Sequence, residues 1–224
     1  MSQWQPVPRE HMARRVAQDV FPGAVVNLGI GMPELVGNYF DAQDEIIVHT
    51  ENGIVGSGPI VNGSLQDFDL INAGRKTVSL VSGGHFVDHA DSFALVRGGH
   101  LDITILGAFE VSASGDLANW STGADANLPS PGGAMDLVVG ARSVFVMMNL
   151  FGKNQQPRLV EQCSLPLTGA RVVKRLYTDL AVFELSGAAP TVLELAPGTN
   201  LDELSSRLGL ALQPAPAGIG NYSC

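Results

Sequence analysis

Cysteine is nearly absent: 224 residues hold two, Cys163 and Cys224. They lie far apart, which leaves no disulfide framework and no CxxC metal spacing and points to a reducing compartment. Basic residues are scarce too, 13 against 22 acidic ones, for a net charge of −9. That balance argues against nucleic acid, whose binding rests on neutralising phosphates, and any polyanionic ligand would need a local cluster of Lys or Arg. No run approaches the roughly 20 apolar residues of a membrane span, and residues 1–10 lack an apolar signal core. The expectation is a soluble, cytoplasmic protein that engages neither membrane nor nucleic acid. Linkers, charge blocks, low-complexity tracts and internal repeats are also missing. Residues 1–224 therefore read as a single domain, large enough to bury a sizeable core, and the 26 glycines read mostly as turns between elements.

What is present alternates between helix and strand periods. Met12, Val16 and Val20 share a helical face with Ala13 and Ala17, and Pro22 and Gly23 end that helix. Residues 24–30 read as a buried strand that breaks at a glycine turn, and Pro33 opens a helix running to Phe40. Residues 45–50 and 77–81 are apolar, β-branched runs without alternation, as in strands covered on both faces; between them, 56–59 (Gly-Ser-Gly-Pro) reads as a turn. Further strands are expected at 101–106, 143–148, 172–177, 180–185 and 191–195, with helices at 91–96 and 201–208. The pattern predicts a layered α/β fold with a mostly parallel sheet flanked by helices.

Glu51 is the residue with the clearest chemical promise. It follows the strand-like Ile46, Ile47 and Val48 and precedes Asn52 and Gly53, a turn pair that presents a carboxylate at the end of a buried strand. The cluster Asn27, Leu28, Gly29, Ile30, Gly31, Met32 has GxG after a strand but lacks the third glycine of a dinucleotide fingerprint. It is either a tight turn or a turn whose amides line an anionic ligand's path. Gly132 and Gly133, ahead of the apolar stretch 134–139, pose the same choice: a turn, or amides that could face an oxyanion. His85, His89 and His100 show no HExxH spacing, so no metal site is expected; Ser57 lacks a GxSxG elbow; Cys163 reads as a small buried hydrophobe.

Seven segments in order, 27–33, 50–53, 69–74, 97–100, 115–120, 132–136 and 165–169, together resemble the B (β) subunit of the family I 3-oxoacid coenzyme A-transferases. The resemblance runs from about residue 11 to residue 210. Within that family, 86–120, with His89 to Phe93 before Arg97-Gly98-Gly99-His100, is most similar to the β chains that act on 3-oxoadipate with succinyl-CoA. Acetoacetate and short-chain fatty acids are the alternative acceptors.

The resemblance implies the CoA-transferase / NagB-RpiA-like fold and a ping-pong transfer through Glu51, which takes up first an acyl group and then CoA as a glutamyl-CoA thioester. A carboxylate is ionised near neutral pH and needs no base to become a nucleophile. The family's oxyanion amide maps to Gly133, and a second donor belongs to the A (α) subunit, so an α partner in a heterodimer or heterotetramer is expected. No cofactor is expected to stay bound; coenzyme A is substrate and transient covalent passenger. Asn27, Gly29, Gly31, Met32, Asn52, Gly53, Asn119 and Gly132 are the candidate substrate-binding residues. Arg75 and Lys76 are candidates for CoA phosphate or else a solvated basic pair. Thr50 stands where the family usually has Ser, and Asn149-Leu150-Phe151-Gly152 replaces a segment that often contains His near the acyl pocket. A different class remains open: in a sugar-phosphate isomerase Glu51 would be a general base, and in a ligand-sensing domain an inert turn residue.

Overall fold

Apolar runs without alternation, such as Ser143–Met148, become strands with both faces covered. In the computed structural model, which describes residues 4–122 and 131–222 (Leu65 by its backbone alone), they form the middle of one large sheet. Met1 and Cys224 lie outside the described residues.

Helix α1 (Arg9–Gln18) buries Met12, Ala13 and Val16. Strand β1 (Val25–Leu28) leads into a 3₁₀ helix, Met32–Tyr39. Strands β2 (Ile47–Thr50), β3 (Ile54–Ile60) and β4 (Val78–Phe86) follow. Helix α2 (His89–Arg97) precedes β5 (Ile103–Gly107), β6 (Glu110–Ser112) and β7 (Leu117–Ala118). After α3 (Ala134–Gly140) come β8 (Ser143–Met148), β9 (Leu159–Val160), β10 (Val173–Thr178), β11 (Ala181–Glu184) and β12 (Thr191–Leu195). Helix α4 (Leu201–Leu208), β13 (Gln213–Pro214) and β14 (Gly220–Asn221) complete the described chain.

The large sheet runs β13-β12-β11-β10-β8-β5-β1-β2-β3-β4, with β14 also on β12. Its middle, β10-β8-β5-β1-β2, is parallel; β3 with β4 and β11 with β12 add antiparallel flanks. Strands β6, β7 and β9 form a separate small sheet. One face of the large sheet packs on Val96 of α2, Leu137 and Val138 of α3, and Leu204 and Leu208 of α4. The other packs on Met12 and Val16 of α1 and Val36 of the 3₁₀ helix. The result is the expected α/β layering, with a five-stranded parallel middle and two short strands, β13 and β14, that pair parallel to β12 at one edge.

Two expectations give way. The stretch 56–59 is not a turn but part of β3, where pairing with β4 shifts register on either side of Ser57; glycine in a strand marks such bulges. The helix expected at 33–40 is wound as 3₁₀, with Pro33 in its first turn and the Glu34 carboxylate folded back onto the Gly31 N–H at 2.9 Å.

Candidate active site

Glu51 sits on a tight turn at the carboxyl end of β2. The Gly53 N–H donates to the Thr50 carbonyl at 2.9 Å, and Gly53 adopts φ +106, a conformation open to glycine. Space there is closed as well, because a Cβ on Gly53 would strike the Val87 carbonyl. The Thr50 hydroxyl donates to Asn52 Oδ1 at 2.6 Å and accepts from the Ile54 N–H at 3.2 Å. Thr thus supplies the hydroxyl that the turn needs. Asn52 points away from the cavity described below and donates to the Ile71 carbonyl at 2.8 Å.

Opposite the turn, α2 and α3 lie side by side, joined by the Arg97–Asp136 ion pair at 2.8 Å. This packing sets Gly133, the residue that opens α3, against the nucleophile candidate: a Cβ built there would collide with the Glu51 carboxylate and the Phe93 ring. Among the described residues no hydrogen bond or ion pair reaches that carboxylate. Burial pushes the Glu51 carboxyl above the ordinary glutamate value, and the neighbouring His89 opposes the rise only in part.

The carboxylate faces a cavity of about 540 Å³. Asn27, Gly29, Met32, Asn119, Gly132 and Gly133 all reach its wall, together with Glu51. Gly31, Asn52, Gly53, Arg75 and Lys76 do not. Gly31 instead anchors the Glu34 carboxylate, whose other oxygen accepts from Asn72 Nδ2 at 2.9 Å, so one buried acid ties the glycine turn to the 72–76 turn. Arg75 and Lys76 lie exposed on that second turn. Asn119 is held by its own neighbours, Oδ1 accepting from Thr168 at 2.6 Å and Nδ2 donating to Gly107 at 3.2 Å. No group of three or more His, Cys, Asp or Glu among the described residues is placed to hold a metal ion. No described helix is long and apolar enough to cross a membrane.

A family model described as coenzyme A transferase matches residues 9–206. The chain belongs to the coenzyme A transferase family. It is 52% identical over 204 residues to the B subunit of 3-oxoadipate CoA-transferase from Pseudomonas putida, covering 91% of this chain and 95% of that one. It is 45% identical over 196 residues to the B subunit of the probable succinyl-CoA:3-ketoacid coenzyme A transferase from Bacillus subtilis, covering 88% and 90%. Among solved structures, the acyl-CoA transferase YdiF of Escherichia coli O157:H7 matches with a TM-score of 0.73 at 18% identity, over 98% of this chain and 44% of that longer one. At that identity the likeness speaks for the fold alone.

Several residues of this coenzyme A transferase cavity escape a reading of the sequence. Phe109 and Trp120 wall it, and Arg158 enters it from the segment before β9. Arg158 also lines a second cleft, of about 560 Å³, which shares Met32 with the first. There Arg9, Lys153 and Arg207 gather beside Asn149, Phe151 and Gly152, and the Arg207 guanidinium lies over both the Trp4 and Phe151 rings, at 4.2 and 4.6 Å from their centres. This cleft therefore holds a second group of basic side chains, beside the exposed pair Arg75 and Lys76. The segment 149–152 faces this cleft. Cys163 is half-buried, and burial raises its thiol to about 11, so it stays protonated.

Proposed function

We propose that this chain is the glutamate-bearing half of a cytoplasmic CoA-transferase built from two kinds of chain, moving CoA from succinyl-CoA to a 3-oxoacid, with 3-oxoadipate as the leading acceptor. The observation that carries the reading is the Glu51 carboxylate itself, without a hydrogen bond or ion pair among the described residues, partly desolvated and facing a cavity beside Gly133. Glu51 attacks the thioester carbonyl and expels CoA thiolate, leaving a mixed anhydride. The thiolate then attacks the glutamyl carbonyl, releases the first acid and leaves glutamyl-CoA. The second acid's carboxylate repeats the sequence in reverse and restores free Glu51. The Gly133 amide is the donor assigned to the developing oxyanion, a role worth about 3 kcal/mol of barrier in comparable sites. The α partner supplies the other donor and, by closing over the cavity, keeps water from the anhydride. Residues 1–224 act as one domain in this assembly, and CoA is a substrate carried transiently, not a resident cofactor.

The preference for a dicarboxylic acid rests on two supports. The first is the 52% identity to a chain named for 3-oxoadipate. The second is Arg158, a cation with no ion pair among the described residues, on an otherwise largely apolar wall. Succinate and 3-oxoadipate both carry a distal carboxylate that a guanidinium would hold. The Arg9, Lys153 and Arg207 cluster is the assigned place for the phosphates of CoA. The similarity to a chain named for succinyl-CoA:3-ketoacid transfer keeps acetoacetate as the second acceptor. Arg158→Met should raise KM for 3-oxoadipate about tenfold, the equivalent of about 1.4 kcal/mol, and leave acetoacetate unchanged. An equal effect on both acids would remove this role.

The test of the whole reading is mass spectrometry of the assembled complex after addition of succinyl-CoA. A CoA-sized adduct, reducible by borohydride and mapped to Glu51, is expected. An isomerase or a sensor would give none, and transfer by this chain without its α partner would end the heteromeric account.

A further inference from the structure

Three polar residues stand side by side in the middle of the parallel sheet, at positions that apolar side chains normally fill. Asn27 of β1 is the register partner of His49 on β2 and of Thr104 on β5, so the three side chains form one row on the face covered by α2. All are buried: Asn27 at 2%, His49 at 1% and Thr104 at 0% exposure, as is Ser92 of α2 at 0%. A buried polar group left unsatisfied costs about 1–3 kcal/mol, so such a row persists only with its hydrogen bonds made.

Those bonds have a single direction. Ser92 Oγ lies 2.9 Å from the Glu51 carbonyl oxygen and 3.4 Å from that of Thr50. Both are acceptors only, so the hydroxyl proton points to the nucleophile's own peptide. Ser92 Oγ must then accept from His49 Nε2, 2.9 Å away. With Nε2 protonated and the imidazole neutral, Nδ1 is the acceptor for Asn27 Nδ2 at 3.4 Å, while Asn27 Oδ1 accepts from Thr104 at 3.3 Å. The second Asn27 amide proton goes to the His49 carbonyl at 3.2 Å. Burial agrees with a neutral ring, since it holds the His49 pKa down at about 4.

We propose that His49 and Ser92 are positioning residues for Glu51: the row Thr104-Asn27-His49-Ser92 fixes the orientation of the Glu51 peptide, and through it the aim of the carboxylate at the cavity beside Gly133. The cavity thus gets an oriented nucleophile without any donor among the described residues touching the carboxylate, which a direct hydrogen bond would stabilise and blunt. Asn27 has two roles, one in the row and one on the cavity wall. The inference rests on the reading of Glu51 as the carrier of CoA, and the experiment separates the two.

In assembled complexes, the rate of Glu51–CoA formation is measured in a single turnover with succinyl-CoA, alongside the Kd for succinyl-CoA and the melting temperature. Ser92→Ala and His49→Leu should each slow adduct formation about tenfold, a small share of what misaimed reacting groups can lose, with Kd unchanged. The double variant should be no slower than either single one, because the row acts as a unit. His49→Gln, whose amide can donate to Ser92 Oγ from nearly the same place, should recover most of the rate. Variants that melt earlier yet form the adduct at the wild-type rate would reduce the row to a structural one and overturn the proposal. Absence of any adduct in the wild type would remove the Glu51 reading and this inference with it. An independent check is the imidazole ¹⁵N spectrum: the Nε2–H tautomer is expected for His49, and an Nδ1–H tautomer contradicts the direction of the row.

Discussion

Asp19 and Glu51 are both partly buried carboxylates, and the fold treats them in opposite ways. Asp19, on the far side of the sheet from α2, meets Arg15 at 2.8 Å, Arg175 at 2.6 Å and the Tyr177 hydroxyl at 2.6 Å. Arg15 reaches on to Glu194 at 2.6 Å, so the cluster ties α1 to β10 and β12. Burial alone would raise the Asp19 carboxyl, but hydrogen bonds from Arg15 and Tyr177 hold it below the usual range. Glu51 has no such company among the described residues, and burial dominates its carboxyl. A charge whose lone pairs are all taken holds elements together; a charge left unpaired keeps its reactivity at the expense of stability.

The sharpest way to break this contrast is to neutralise each acid in turn. Glu51→Gln should lower transfer by about 10⁴-fold or more, the scale of losing a nucleophile that acts as part of a unit. It should also leave the melting temperature of the assembled complex unchanged or higher, because burial costs the lost charge more than the neighbouring His89 returns. Loss of stability on a par with Asp19→Asn would mean that Glu51 has a structural partner after all.

Asp19→Asn should do the reverse. Removing one member of a partly buried ion cluster, which leaves Arg175 without its counter-charge and Arg15 with Glu194 alone, costs about 3 kcal/mol. For a chain of this size that lowers the melting temperature by about 10 °C. Specific activity per folded complex should stay near wild type, and thermal melts beside steady-state rates decide the matter.

Gly133→Ala is a narrower probe of the same site. The added methyl must displace the Glu51 carboxylate or the Phe93 ring. Misplacing a reacting group by about 1 Å can lose about 100-fold in rate, and kcat should fall accordingly with little change in KM. A variant with full kcat would show that the carboxylate works from some other position.

How far all this can be read from the chain differs between the two acids' surroundings. The Glu51 turn is a local matter: a β-branched run, then Asn52 and Gly53, and the structure puts the strand end and the positive φ where those residues ask for them. Strand Ser143–Met148 and helix Leu201–Leu208 likewise have the bounds read from sequence, the helix because Asn200 caps it and Gly209 ends it in a left-handed conformation. The bulged strand β3 is not legible, since Gly-Ser-Gly-Pro signals a turn locally and pairing with β4 overrides it. Arg158, Phe109 and Trp120 come from separate loops and meet only in three dimensions. Asp19 reads as an outward-facing helix residue, and nothing near it in sequence announces Arg175, Tyr177 or Glu194. His49 and Ser92 are hidden for the same reason: a row across a parallel sheet exists only once the register is known.

The gentlest test uses protons in place of mutations. Glu51 must be ionised to attack, and its carboxyl sits above the ordinary value of 4.5, so kcat/KM for succinyl-CoA should fall on the acid side with a midpoint above that of a free glutamate. Asp19 behaves oppositely: its depressed carboxyl contributes stability that is fully present above its unfolded value and is lost only as the pH falls through its lower folded value. For Glu51 the raised carboxyl means that the ionised form weakens the fold, and protonation relieves that strain. Acid should therefore silence the enzyme reversibly while the melting temperature is still on its plateau, and parallel pH series of rate and thermal melt would expose the gap between the two curves. Curves that coincide would mean that activity is lost by unfolding and that the contrast between the two acids is not at work. His89→Gln refines the result further: His89 draws the Glu51 carboxyl downward, so its removal should move the acid limb of the rate profile to higher pH and leave the thermal curve in place.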